Sequence, residues 1–120
     1  MRIAYLLCCL PLLFLSACRE QQPPAIDTAL MRELLKDIHL ADSWVDAQTG
    51  SAEERRALRD ALYQEILAKK AVEPQTFFDS YAYYIDHPEL LDSIYLYIIE
   101  DLVKQEQRLV DEDRRRRGAP

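Results

Sequence analysis

Downstream of residue 26, apolar side chains recur every three or four positions, separated by charged ones. In the first run these are Leu30, Met31, Leu34, Leu35, Ile38, Ala41, Trp44 and Val45. That is the helical period. Asp27 or Thr28 opens the run with a side chain able to accept an early backbone N–H, and "AQTG" closes it, with Gly50 placed just past the end. Ser51-Ala52-Glu53-Glu54 fits a capping box for a second helix. Its inner side is expected to carry Leu58, Ala61, Leu62, Ile66 and Leu67, with Lys69 and Lys70 near its C-terminus. Pro74 suits the first turn of a third helix, from about Gln75 to Asp86. Pro88 disfavours helical geometry at His87 and launches a fourth helix. On that helix Leu90, Leu91, Ile94, Tyr95, Ile98, Leu102 and finally Leu109 keep helical spacing, while the chain turns polar beyond Val103.

Four helices with short connections predict an all-α fold, a small antiparallel bundle of three to four helices. Only two glycines occur in the whole chain, Gly50 and Gly118, which suits a helical body. The helical domain is expected over residues 27–110, and residues 111–120 read as a charged flexible tail.

The third helix is unusually aromatic. Phe77, Tyr81 and Tyr84, spaced four and three, fall on one stripe, and Phe78 and Ile85 widen it. Together with Trp44, these three are the expected core aromatics. Tyr83 points away from the stripe. Tyr97 cannot share a face with Tyr95, because positions two apart diverge by about 200°. Tyr83 and Tyr97 are therefore the aromatics least explained by burial. They are the candidate interaction surface, since a tyrosine suits places where one end of the ring is dry and the other wet.

Residues 1–17 do not belong to the fold. Arg2 supplies a positive start, Ile3 to Phe14 form an apolar stretch too short to span a bilayer, and Leu15-Ser16-Ala17-Cys18 follows. That tetrapeptide resembles the bacterial lipobox, which implies removal of residues 1–17 and acylation of Cys18. Two or more acyl chains give stable anchoring where one is marginal. Cys8 and Cys9 would leave with the signal, so Cys18, its sulfur occupied, would be the sole remaining cysteine, and no disulfide or cysteine-based metal site would remain. Arg19 is not the aspartate associated with inner-membrane retention, which favours the outer membrane, and the single Glu20 is a thin version of the acidic tracts used for surface export, which favours the periplasmic face over the cell surface. Residues 18–26, with Pro23-Pro24, read as an extended tether.

Charge narrows the partners. The formal charge is −6, and losing residues 1–17 removes one cation and no acid, giving −7. An acidic chain with no basic stripe through its body argues against nucleic acid. His39, Asp42 and Asp46 share one side of the first helix, but a metal site needs ligands from another helix and no H-E-x-x-H motif occurs. They read as a solvated acidic face, so neither a metal nor any cofactor beyond the acyl lipid on Cys18 is expected. Ser43, Ser51, Ser80 and Ser93 have no glycine elbow, and glycine-rich phosphate loops are missing. No catalytic residue and no small-molecule substrate follow. The run Arg114–Arg117 could meet anionic head groups, but Asp111, Glu112 and Asp113 beside it favour a solvated helix end.

"MRELLKDIHLADSW", then F-x-x-S-x-x-YY-x-x-HP from Phe77 to Pro88, then an apolar helix with Ile94-Tyr95 resemble a family of small bacterial lipoproteins, domain of unknown function 4296. The similarity covers roughly residues 28–105. This chain departs from the pattern in the turn "KKAVEPQ", where the family often has a glycine. The resemblance implies a lipoprotein with a helical domain and brings no activity with it. The expected function is a lipid-anchored, non-catalytic periplasmic module that binds another envelope protein. The alternative is a chaperone-like holdase for unfolded outer-membrane proteins, which needs a sizeable exposed apolar patch.

Overall fold

The structure, a computed structural model, describes residues 22–118; the signal peptide and Cys18 expected above lie outside the described residues. It consists of four helices: α1 (Thr28–Asp46), α2 (Ala52–Lys69), α3 (Pro74–Ile85) and α4 (Pro88–Gly118). Among the described residues there is no strand, so the all-α bundle expected from the periodicity is what forms.

The ends of the helices follow from local chemistry. Asp27 caps α1, its carboxylate accepting from the Leu30 N–H at 2.8 Å. Ser51 and Glu54 form the full capping box of α2: the Glu54 N–H donates to the Ser51 hydroxyl, and Glu54 Oε2 accepts from the Ser51 N–H at 2.7 Å. Between these helices Gly50 adopts φ +146°, and a Cβ there would lie 3.1 Å from Glu54 Oε2, so glycine suits the turn. The end of α2 is less comfortable. Ala71 takes a left-handed φ of 52°, with its N–H on the Ala68 carbonyl and the Val72 N–H on the Leu67 carbonyl. This is a Schellman closure in which an alanine occupies the position glycine prefers.

Met31, Leu34, Leu35 and Ile38 of α1 pack with Leu67 of α2, Phe77 and Tyr84 of α3 and Ile94 and Ile98 of α4. Ile26 joins this core at 3 % exposure, although it precedes the first helix. The Ile26 N–H donates to the Ser80 hydroxyl at 3.2 Å, and its carbonyl accepts from the Tyr84 hydroxyl at 2.9 Å. The expected tether over residues 18–26 therefore ends early, and the packed domain begins before residue 27.

Further expectations are corrected. Trp44 is 52 % exposed rather than core. At about 100° per residue it lies roughly 120° from the line through Ile38 and Val45, which is too far round α1 to reach the interior. Phe78 and Ile85 are also exposed, because the short α3 buries only a narrow face through Phe77, Ser80 and Tyr84. On α2 Ala61 is exposed and only Leu67 is fully buried. Tyr63, not foreseen as inward, packs against the core instead. Residues 111–118, expected as a charged tail, are helical: α4 runs through them to Gly118, with pairs such as Arg117 with Asp113 at 2.9 Å. Leu109 is exposed there, since α4 has outrun the helices that cover its first half.

Candidate functional site

The described N-terminus and the junction between α3 and α4 share one end of the bundle, because Ile26 is bonded to Tyr84, four residues before Pro88. Arg114 lies 26 residues beyond Pro88, about 39 Å along α4 at 1.5 Å per residue. The arginine run is thus at the far end of the molecule from the point where the chain enters it.

His39, Asp42 and Asp46, expected as a solvated acidic face of α1, are drawn to two different helices. His39 turns toward α4, where its Nε2 is 3.2 Å from the Tyr95 hydroxyl. Asp42 and Asp46 turn toward α2 and share Arg59, whose Nε and outer nitrogen donate to them at 2.8 and 2.7 Å. The Tyr63 hydroxyl also donates to Asp42, at 2.5 Å. Burial first, and then the neighbouring Asp42 carboxylate, push the Tyr63 hydroxyl up to about 12. Burial and the Tyr81 hydroxyl do the same for Tyr95. The acidic face of α1 is thus part of the α1–α2 joint. Among the described residues no group of three or more His, Cys, Asp or Glu side chains could hold a metal ion.

The structure separates the two candidate tyrosines. Tyr83 is half-buried against the core, edge-on to Tyr84 and stacked on the His87 ring at 4.0 Å between centroids. His87 closes the unit by donating from Nδ1 to the Tyr83 carbonyl at 2.7 Å. Packing therefore accounts for most of the Tyr83 ring, although its outer side borders a hollow of about 230 Å³ with Pro23, Pro24 and Asp79. Of the expected core aromatics, Phe77 is 6 % exposed and Tyr84 is 1 % exposed. Tyr81 is half-buried and lies parallel to Phe77 at 5.9 Å.

Tyr97 is different. It is 53 % exposed and stands at the mouth of a cleft of about 330 Å³ between α1 and α4. The Arg32 guanidinium lies over its ring, 5.1 Å from the centroid, a cation–π contact across the helices. Deeper in, Lys36 donates to Asp101 at 2.8 Å, holding that carboxyl below its usual range. Glu33 is likewise lowered by its hydrogen bond from Lys70. The cleft therefore offers one amphipathic ring flanked by charges of both signs. Sequence reasoning found Tyr97 but missed Arg32, whose spacing from Lys36 was the available signal.

Among the described residues no helix is long and apolar enough to cross a membrane. No curated protein and no solved structure matches the chain. The family model described as "Domain of unknown function (DUF4296)" matches residues 24–108, a span that takes in Ile26, all of α1 to α3 and most of α4. The chain belongs to the DUF4296 family.

Proposed function

We propose that the protein is a lipid-anchored, non-catalytic helical module on the periplasmic face of the bacterial outer membrane, and that it binds another envelope protein through the α1–α4 cleft. The observation that carries this reading is Tyr97, which is 53 % exposed and already held under Arg32. Tyrosine and arginine are the residues most often found as energetic anchors of protein interfaces. A ring fixed before binding loses little conformational freedom when a partner arrives. The lipobox-like Leu15–Cys18 supplies the anchoring half of the reading, and the tether of the anchored chain would enter at the end of the bundle away from Arg114–Arg117.

Photo-crosslinking of the full-length chain in cells tests it. A photoreactive residue at position 97 is expected to give an adduct with one envelope protein, whereas the same residue at position 53, on the exposed start of α2, gives none. Adducts that are identical from both positions, or missing from both, contradict the reading.

A further inference from the structure

The outward face of α4 carries a pattern that the cleft does not use. Counting about 100° per residue, nine side chains lie within roughly 40° of a line through Val103, the polar Gln107 among them. This line is opposite Ile94 and Ile98, which face the core. In its middle stand Leu96, Ile99, Val103 and Val110, between 45 and 63 % exposed. At its N-terminal end are the exposed acids Glu89 and Asp92, and at its C-terminal end Arg114 and Arg117. From Glu89 to Arg117 the face thus reads acidic, apolar, basic.

This order is self-complementary about Val103 except at Ile99 and Gln107, which lie four residues to either side of it. Glu89 and Arg117 are each 14 residues from it, Asp92 and Arg114 each 11, and Leu96 and Val110 each 7. A two-fold axis through Val103 that sets a second α4 antiparallel would bring acid onto arginine at both ends. It would also bring Leu96 onto Val110 twice and Val103 onto its own copy. A parallel pairing would set acid on acid and arginine on arginine. Isologous contacts require such a match of a surface to itself. A partner of unrelated sequence has no reason to mirror these distances. The arginines are not locked elsewhere: Arg114 is 3.7 Å from Asp111 and Arg117 2.9 Å from Asp113, with 78 % and 79 % of their side chains exposed, and such pairs exchange readily.

We propose that α4 is a dimerisation helix, pairing antiparallel with α4 of a second copy of this chain about an axis at Val103. The interface lies on the opposite side of α4 from the core, and its N-terminal part borders Tyr97, which lines one hollow with Glu89, Asp92 and Leu96.

The test uses the full-length chain in detergent with Val103→Cys and a short bis-maleimide. A cysteine on the axis is expected to give a crosslinked dimer, and Glu53→Cys on α2 is expected to give none. Two differently tagged chains carrying Val103→Cys then probe the charges, one with E89R/D92R and the other with R114E/R117E. Each alone juxtaposes like charges, and its crosslinking is expected to fall by about tenfold or more. Mixed together they restore acid–base pairs at both ends, and a heterodimer is expected at the original yield. No dimer from Val103→Cys, equal dimer from Glu53→Cys, or a mixture no better than its separate components would each overturn the proposal.

Discussion

The Tyr84 hydroxyl donates to the Ile26 carbonyl at 2.9 Å, joining residues 58 apart in sequence and drawing the segment before α1 into the core. Tyr84 is 1 % exposed and Ile26 is 3 % exposed, so water cannot replace the bond once it is lost. Tyr84→Phe leaves a buried carbonyl without its partner, which costs about 1–3 kcal/mol. For a domain of this size the melting temperature is expected to fall by about 5–15 °C, as followed by circular dichroism. A melt unchanged within a degree or two would show that the N-terminal segment is not fastened in this way.

Ala71 is a second place where one substitution should be felt, in the opposite direction. Its left-handed φ of 52° brings a Cβ close to the following carbonyl. Ala71→Gly relieves that strain at the end of α2 and gives back part of the gain through a more flexible unfolded chain. The net expectation is a stabilisation of about 0.5–1 kcal/mol, seen as a higher urea midpoint at unchanged slope. A lower midpoint would mean that the turn does not hold this conformation.

Trp44 and Phe77 were equivalent as expected core aromatics, and the structure makes them unequal at 52 % and 6 % exposed. Phe77→Ala removes a ring from the centre of the bundle and should cost about 3–5 kcal/mol. Trp44→Ala is expected to shift stability by no more than about 0.5 kcal/mol. Chemical denaturation of the two variants side by side checks this, and equal costs would place Trp44 back in the core.

Alkaline pH should loosen the α1–α2 joint at Tyr63 and the contact of Tyr95 on α4 with His39 on α1. The Tyr63 and Tyr95 hydroxyls are raised from 10.0 to about 12 by burial and by their hydrogen-bond neighbours. A raised folded-state value means that the folded chain favours the protonated phenol. The stabilisation is complete below pH 10 and is lost as the pH climbs toward about 12. Tyr63→Phe takes away one of these groups and should flatten the alkaline limb of a stability-against-pH curve. An equally steep limb in that variant would assign the loss elsewhere.

How much of this was legible depended on whether local pattern or distant contact decided the outcome. Periodicity alone marked the buried face of α1 from Met31 to Val45, and Ser51 with Glu54 announced the start of α2. Ile26 could not be read. It is a single apolar residue after two prolines, and its burial is set by Ser80 and Tyr84, more than fifty positions away. The helical state of residues 111–118 was masked by their polarity, although the acid–arginine spacing of three and four that supports it was present. At the candidate site, the divergence of Tyr97 from Tyr95 marks a ring off the buried face of α4, and Tyr97 is exposed. Tyr83 was not separable from it, because the ring that covers Tyr83 belongs to His87, beyond the end of α3.

The central claim is that an envelope partner binds the cleft between α1 and α4. The most direct measurement is the amount of that partner recovered from crosslinked cells with wild type, Tyr97→Ala, Tyr83→Ala and Cys18→Ser chains expressed at equal levels. The account predicts recovery reduced by about tenfold or more for Tyr97→Ala, as for an interface anchor. It predicts near wild-type recovery for Tyr83→Ala, and loss for the unanchored Cys18→Ser chain. Full recovery with Tyr97→Ala would contradict it.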